Sequence, residues 1–393
     1  MSIYIAQHHI FTIMTSTTVE STDWPGDVST INLTYSTFSN SMNSTGSSSD
    51  DAMSAAELER NVSIVVPTVF GVIFLLGLLG NMLVILVVAL DKNMRNTTNI
   101  LILMLAVADL LFIIFCVPFT ATSYAMPVWP FGRAWCKMMQ YLTFVSAYAS
   151  VYTLVLMSLD RYLAVVHAIR SMSIRTECNT WLAIGVVWAV ILASNVPILL
   201  QYDVLGYKHD TDDRSVCINV HHQQDEDMGV VYYSCFLAFG YVLPLGATCL
   251  MYGLMLKRLH GSAPGGKTNK SQESMRAKRR VTKMVVIIVA VFAVCWLPIQ
   301  VILLAQHLGV PFPTVPLISL QLASNCLAYM NSCVNPILYA FLSENFRRSF
   351  RKILCCSSPV SRRAEYELVS VKQTENVTAM ENVTTATGLK SSI

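Results

Sequence analysis

Residues 64–90 read IVVPTVFGVIFLLGLLGNMLVILVVAL, a run of 27 positions without a charged side chain. A helix needs about 20 predominantly apolar residues to cross the hydrocarbon core of a bilayer. Six further, mainly apolar runs follow, at residues 99–124, 135–166, 181–200, 230–256, 281–304 and 315–342. They do not alternate as barrel strands do, and only helices or closed barrels satisfy the backbone in lipid. The sequence therefore predicts an all-α membrane protein, a bundle of seven transmembrane helices that we number as spans one to seven.

The composition of the chain excludes other classes of protein. Hydrophobic residues make up 54% of the 393 residues and charged residues only 13%, whereas a soluble domain carries about 25% charged residues. The net charge of +3 is too small for a protein that binds nucleic acid by neutralising phosphates. We therefore expect neither a water-soluble enzyme nor a nucleic-acid partner.

The basic residues predict the orientation in the membrane. Of the 27 Lys and Arg residues, 22 belong to the end of the bundle that the chain reaches after spans one, three, five and seven. The positive-inside rule places that end in the cytoplasm and the N-terminus outside. The N-terminal tail agrees, because it carries three glycosylation sequons, at Asn32, Asn43 and Asn61.

The polar and apolar segments predict four regions. Residues 1–61 are expected to be a disordered, glycosylated extracellular tail, and residues 62–342 the helix bundle. Residues 343–356 are expected to form an amphipathic helix on the membrane surface, and residues 357–393 a disordered cytoplasmic tail. Cys355 and Cys356 at the end of the surface helix are candidates for palmitoylation, with unmodified thiols as the alternative.

Asp109 is the most unusual residue within the spans. Apolar residues flank it on both sides in span two, and an ionisable group inside a membrane is functional by default. The alternative is a structural carboxylate that is hydrogen-bonded to Asn81 or to water. Oxygen-bearing residues of other spans could join Asp109 in a site for a hard cation, which prefers such ligands. They are Asn81, Ser150, Asn331, Ser332 and Asn335.

Short motifs occur in order along the spans. They are Gly80-Asn81, Leu-Ala-Val-Ala-Asp at 105–109, Trp135-Cys136, Asp160-Arg161-Tyr162, Trp188, Pro244 with Tyr252, Cys295-Trp296-Leu297-Pro298 and Asn335-Pro336-Ile337-Leu338-Tyr339. Together they resemble the rhodopsin-like (class A) family of G-protein-coupled receptors over about residues 62–356. Three further stretches resemble galanin receptors and, more closely, insect allatostatin-A receptors. These are Trp129-Pro130-Phe131-Gly132, Ala147-Tyr148-Ala149-Ser150 and residues 171–176.

The resemblance implies roles for several groups of residues. A sodium pocket would comprise Asp109, Ser150, Trp296, Asn331, Ser332 and Asn335, with no other cofactor. The residues that couple to the G protein and rearrange on activation would be Asp160, Arg161, Tyr162, Tyr252, Pro336 and Tyr339. A disulfide would join Cys136 to Cys217, with two free thiols as the alternative.

One position departs from the pattern of the family. Many relatives have an acidic residue near the base of span six that holds the arginine of the Asp-Arg-Tyr motif, and here the matching residue is Lys278. This departure predicts a weaker lock on the inactive state and measurable basal activity.

The ligand class is inferred from the outer half of the bundle. Amine receptors of the family carry an Asp eighteen residues before Arg161, and here that residue is Thr143. Helical spacing suggests a pocket with uncharged amides and aromatic rings, which suits an amidated peptide. The alternative is that the polar residues only bridge helices. The candidates are Gln140, Thr143, Phe144, Trp296, Gln300, Leu303, His307, Gln321 and Asn325.

The acidic second outer loop offers a second hint about the ligand. It contains Asp203, Asp210, Asp212, Asp213, Asp225, Glu226 and Asp227. Such a loop could attract a cationic peptide, or it could simply be a solvated loop.

The sequence thus predicts a plasma-membrane neuropeptide receptor for amidated, allatostatin-A-type peptides. It would signal through heterotrimeric G proteins, with inhibitory Gi/Go proteins favoured, and would also engage arrestin, a receptor kinase and membrane lipids. A galanin-like or a somatostatin/opioid-like receptor is the alternative within the family. A transporter or channel is the alternative of another class, suggested by Asp109 alone. We expect no enzymatic activity, because the spans contain no metal cluster or catalytic pair.

Overall fold

The structure is a computed structural model that describes residues 49–91, 94, 96–209, 212–220, 226–260, 269–308 and 315–355. The sequons at Asn32 and Asn43, the thiol of Cys356 and the predicted tails at 1–48 and 357–393 lie outside these residues. The chain divides into two compact units, Met1–Tyr339 and Ala340–Ile393.

Helices account for all seven predicted spans. Span one is α1 (Ser49–Leu90), span two is α2 (Thr97–Phe115) with α3 (Val117–Ala125), and span three is α4 (Gly132–Val166). A short helix, α5 (Ala168–Ile174), precedes span four, which is α6 (Glu177–Ser194) with α7 (Ile198–Gln201). Span five is α8 (Glu226–Leu237), a π-helical turn at Ala238–Val242 and α9 (Leu243–His260). Spans six and seven are α10 (Asn269–His307) and α11 (Val315–Leu342).

Six helical segments of the described residues are long and apolar enough to cross a membrane. They are Arg60–Leu90, Thr97–Ala125, Gly132–Val166, Glu177–Gln201, Val230–Arg258 and Thr282–Ala305. The seventh predicted span, α11, is 28 residues long but less apolar. Six of its polar side chains are buried, so they face the interior of the protein. They are Gln321, Ser324, Asn325, Asn331, Ser332 and Asn335.

The first helix begins at Ser49, ahead of residue 62, where the sequence analysis starts the bundle. Residues 52–60 read AMSAAELER and consist almost entirely of good helix formers, which explains how the helix extends past the apolar run. The side chain of Asn61, which carries the third sequon, is exposed.

Prolines interrupt three of the six spans that contain proline, whereas the helix of span one continues through Pro67. The helix of span two breaks at Cys116, two residues before Pro118, and that of span four ends three residues before Pro197. The π-helical turn of span five directly precedes the helix that contains Pro244. Proline lacks a backbone donor and disfavours helical geometry at the preceding residue. The helices of spans six and seven continue through Pro298 and Pro336.

The second outer loop forms an antiparallel hairpin that sequence analysis treats only as a loop. Strand β1 (Tyr202–His209) pairs with β2 (Asp212–Asn219), and Val204 lies opposite Cys217. The loop before α4 joins the edge of this hairpin, because the backbone N–H of Trp129 donates to the carbonyl of Ser215 (3.1 Å). Gly132, the first residue of α4, has a φ of 72°, a left-handed conformation that favours glycine.

Span one packs closely against its neighbours because glycines face them. A Cβ atom on Gly77 would lie 2.5 Å from Cδ1 of Ile113, and one on Gly80 would lie 3.0 Å from the ring of Pro336. Span three occupies the centre, in contact with spans two, four, five and six. It therefore crosses every polar layer described below.

The second unit contains α12 (Glu344–Cys355), in agreement with the predicted surface helix. The rings of Phe346 and Phe350 lie 5.7 Å apart on one face. The side chains of the basic residues Arg347, Arg348, Arg351 and Lys352 are exposed. This separation of apolar and basic residues is typical of a helix that lies on a membrane surface.

Candidate functional site

The carboxylate of Asp109 joins three spans. Asp109 lies in α2 and is completely buried. Its Oδ1 accepts a hydrogen bond from Oγ of Ser150 in span three (3.1 Å), and its Oδ2 accepts one from Nδ2 of Asn335 in span seven (2.8 Å). The structure thus brings together residues that are 41 and 226 positions from Asp109 in the sequence.

Asn81 does not bind Asp109 in the way that the structural alternative proposed. Its Nδ2 donates instead to the carbonyls of Gly77 and Ser332, each at 2.9 Å. The amide oxygens of Asn81 and Asn331 are buried and accept no hydrogen bond from the described residues. Nε1 of Trp296 is likewise buried without a partner among these residues.

We call Asp109 and the buried polar residues Asn81, Ser150, Asn331, Ser332 and Asn335 the Asp109 layer. The Asp109 layer has the composition of a site for a hard cation. It offers one carboxylate, a serine hydroxyl and two buried amide oxygens that lack donors, and buried polar atoms normally have partners. The described residues contain no cluster of three or more His, Cys, Asp or Glu side chains. The layer therefore suits a singly charged ion held by mostly neutral oxygens better than a transition metal.

A second polar cluster lies at the other end of span three, around Asp160. Only 7% of Asp160 and 8% of Arg161 are exposed. Nε of Arg161 donates to Oδ2 of Asp160 (3.0 Å), and Nη2 of Arg161 contacts both Asp160 and Thr98. The hydroxyls of Thr97 and Thr98 donate to the two oxygens of Asp160, at 3.0 and 2.8 Å. Arg161 is thus held against its neighbour and span two.

Arg175 completes this cluster, and the sequence analysis missed it. Its Nε donates to Oδ1 of Asp160 (2.6 Å), and its Nη2 donates to Oδ2 of Asp160 (3.2 Å) and to Oγ1 of Thr97 (3.1 Å). Arg175 belongs to the stretch 171–176 that the sequence analysis used only to recognise a subfamily. Nothing in a local pattern tells which carboxylate an arginine 15 residues away will bind.

The three tyrosines among the proposed switch residues differ in their surroundings. The hydroxyl of Ser158 donates to that of Tyr252 (3.5 Å), which places Tyr252 beside span three. Tyr339 is fully buried. The hydroxyl of Tyr162 lies instead 3.3 Å from Nε2 of His167, so Tyr162 does not bind Asp160. The side chain of Lys278 lies outside the described residues.

The outer half of the bundle contains a narrow aromatic crevice between spans three, five and six, which is too small to admit a water molecule. Of the candidate ligand contacts, Trp296 and Gln300 line it. Phe144 packs nearby, with its ring 5.2 Å from that of Phe236. The other described residues that line the crevice are Ala147, Tyr148, Phe236, Gly240 and Phe292, and none of these described residues is charged.

The remaining candidate ligand contacts differ in their surroundings. Gln140, Gln321 and Asn325 are buried, and Nδ2 of Asn325 makes no hydrogen bond with the described residues. The hydroxyl of Thr143 donates to the carbonyl of Met139 in its own helix (2.9 Å). Leu303 packs in a cluster with Ile299 and Tyr233, so it serves the core. The side chain of His307 lies outside the described residues.

The predicted disulfide between Cys136 and Cys217 is present, with the two Cα atoms 5.6 Å apart. It ties span three to β2 within a buried cluster that includes Phe144 and Tyr202. Burial raises the pKa of the Tyr202 phenol above its ordinary value, so this residue stays neutral at physiological pH.

The acidic residues of the second outer loop differ in whether a cation neutralises them. Oδ1 of Asp203 forms an ion pair with Nε of Arg133 (2.7 Å), and Oδ2 of Asp203 lies 3.8 Å from Nζ of Lys137. The charge of Asp203 is therefore already neutralised within the protein. Asp212 and Asp213 are exposed on β2. Asp210 and Asp225, and the side chains of Glu226 and Asp227, lie outside the described residues.

Comparisons with known proteins agree with this geometry. Residues 80–339 match the family described as 7 transmembrane receptor (rhodopsin family). The allatostatin-A receptor of Bombyx mori is 54% identical over 302 residues, which cover 77% of this chain and 82% of that receptor. The galanin-like G-protein coupled receptor npr-9 of Caenorhabditis elegans is 41% identical over 330 residues, 78% of this chain and 76% of that protein. Galanin receptor type 1 of Homo sapiens is 40% identical over 302 residues, 76% of this chain and 83% of that receptor.

Proposed function

Because the chain belongs to the rhodopsin family of seven-transmembrane receptors, we propose that it is a cell-surface receptor for amidated peptides of the allatostatin-A type. Members of this family are receptors and not enzymes, so the chain has no catalytic site to assign. Membership of this family removes the support for the transporter or channel alternative, which rested on Asp109 alone. In this proposal the peptide binds from outside, and the chain activates a heterotrimeric G protein, of the Gi/Go type, inside the cell.

The uncharged outer crevice is the observation that carries the peptide proposal. A peptide that ends in Tyr/Phe-x-Phe-Gly-Leu-amide brings aromatic rings and a neutral C-terminus. The crevice offers aromatic walls and the amide of Gln300, and Gln140, Gln321 and Asn325 are buried in the same half of the bundle. A buried carboxylate without a cation would be costly there, so an amide fits better than an acid. The name of the Bombyx mori relative supports the same ligand class.

The cluster around Asp160 supports coupling to a G protein. It lies at the basic end of the bundle, which the positive-inside rule places in the cytoplasm of a plasma-membrane protein. The exposed side chain of Asn61 suits glycosylation on the opposite side. Palmitoylation of Cys355 and Cys356, and binding to arrestin, a receptor kinase and anionic lipids, remain part of the proposal.

We assign a sodium ion to the layer around Asp109 as an allosteric ligand of the resting receptor. Asp109, Ser150, Asn331, Ser332, Asn335 and Trp296 would surround it. The carboxylate and the two amide oxygens without donors support this assignment. The ion would shift the receptor toward the resting state only through a higher affinity for that state.

The experiment is a peptide screen on cells that express the full chain, with cAMP and calcium readouts in parallel. We expect amidated allatostatin-A-type peptides to lower cAMP, and the same peptides as free acids to be much weaker. Gln300→Ala and Gln321→Ala should each weaken the amidated peptide by about 1–3 kcal/mol, the penalty for an orphaned buried polar group. Thr122→Ala is the matched control, because that hydroxyl is bound within its own helix and Thr122 is not a candidate ligand contact.

The screen also decides between the ligand alternatives. Relatives named as galanin receptors make galanin-like peptides the second candidate. A full response to galanin or a somatostatin-like peptide, with no response to amidated allatostatin-A-type peptides at micromolar concentration, would overturn the proposed ligand. A calcium response without a fall in cAMP would contradict the Gi/Go assignment.

A further inference from the structure

Asp160 binds two cations, and only one of them belongs to its own motif. Arg161 precedes Tyr162 in span three, whereas Arg175 lies between the short helix α5 and span four. Both arginines form ion pairs with the same carboxylate. We call Thr97, Thr98, Asp160, Arg161 and Arg175 the Asp160 cluster.

The loop holds Arg175 in place independently of Arg161. The backbone N–H of Arg175 donates to the carbonyl of Ser171 (2.8 Å), which closes the last turn of α5. Its guanidinium contacts both oxygens of Asp160 and the hydroxyl of Thr97. None of these contacts involves Arg161, so they can persist when Arg161 moves.

The charges of the cluster determine what it costs to release Arg161. Asp160 is only 7% exposed, and a buried carboxylate that loses its only cation is strongly destabilised. With Arg175 in place, the carboxylate keeps an ion pair after Arg161 has left. The two guanidinium groups also repel each other while both bind Asp160, and the departure of Arg161 relieves that repulsion.

We propose that Arg175 is a positioning residue that retains the charge of Asp160 when Arg161 is released, and so favours the active state. This inference rests on the proposed coupling to a G protein. It differs from a lock: a second lock would restrain the resting state, whereas Arg175 lowers the energy of the state in which Arg161 is free. Removal of Arg175 should therefore reduce basal activity.

The first test measures basal nucleotide exchange on Gi/Go protein by the full-length receptor in membranes, corrected for surface expression. We expect Arg175→Ala to lower the basal rate roughly three- to tenfold, as for a partly exposed ion pair. Arg175→Lys keeps the charge but not the paired hydrogen bonds and should restore part of the rate. Arg170→Ala removes an exposed cation of the same loop and should leave the rate unchanged.

A double-mutant cycle separates this role from a structural one. In the Asp160→Asn background no charge remains to be retained, so Arg175→Ala should have no further effect. An equal loss in both backgrounds would mean that Arg175 supports the loop or contacts the G protein directly, and would overturn the proposal. An increase of the basal rate in the otherwise unchanged receptor would overturn it too, because Arg175 would then be a lock.

A second readout does not depend on any G protein. Hydrogen exchange of the backbone amides at residues 279–285, at the base of span six, is measured on the purified full-length receptor. Arg175→Ala should slow this exchange, and Arg170→Ala should not. No nucleotide exchange by the unchanged receptor, with or without an amidated allatostatin-A-type peptide, would refute the proposed coupling. Equal hydrogen exchange in Arg175→Ala and the unchanged receptor would refute the role of Arg175.

Discussion

Asp109 and Asp160 show how neighbours determine the role of a residue. Both are buried carboxylates in spans, but the donors to Asp109 among the described residues are neutral and include Ser150 and Asn335. Asp160 has two arginines and two threonines. A carboxylate with uncharged partners has no cation beside it to balance its charge, whereas two arginines balance the charge of Asp160. The same residue type therefore has different neighbours in the proposed ion site and in the proposed switch.

At the scale of single residues, the disulfide gives a direct prediction. Cys136→Ser and Cys217→Ser should cause the same loss of surface receptor, because either change breaks the disulfide that links span three to the hairpin. Loss of a native disulfide typically costs about 2–5 kcal/mol. Surface staining and peptide binding measure the effect, and Cys178→Ser, at an exposed free cysteine, is the control. One harmless and one harmful substitution would show that the two cysteines are not partners.

At the scale of elements, the packing of span one depends on glycine. Alanine favours a helix over glycine by about 1 kcal/mol, so a glycine in a span needs a packing reason. Gly80→Ala should lower the melting temperature of the purified receptor, because its Cβ would lie 3.0 Å from the rigid ring of Pro336. Gly71→Ala in the same helix is the control, because nothing lies within 4 Å of its Cβ. Equal melting temperatures for the two variants would contradict this packing.

At the scale of the whole molecule, span three connects the outer crevice, the Asp109 layer and the Asp160 cluster. Phe144, Ser150 and Asp160 lie on this one helix, which rises about 1.5 Å per residue. A rigid element shared by three layers would give the proposed peptide, ion and G protein a common part to shift. Coupling between the ion and the peptide must be reciprocal if it exists.

This coupling leads to the last prediction. Sodium should lower the affinity of the agonist roughly fivefold or more in the unchanged receptor, within the usual range of allosteric coupling. Asp109→Asn should abolish this effect, because it removes the charge of the site while the amide keeps nearly the same shape. Agonist binding is measured in sodium and in N-methyl-glucamine at constant ionic strength. A sodium effect of equal size in Asp109→Asn would refute the sodium site.

The apolar runs by themselves determined the seven spans, because lipid forces every backbone group of a spanning segment into helical hydrogen bonds. The ordered motifs identified the family and, through it, the pairing of Cys136 with Cys217. Only the tertiary structure decided which polar groups meet. It paired Asp160 with Arg175, turned Asn81 toward Ser332, and neutralised Asp203 with Arg133. These partners depend on how each helix is rotated and how loops return to the bundle, and hydropathy does not encode either.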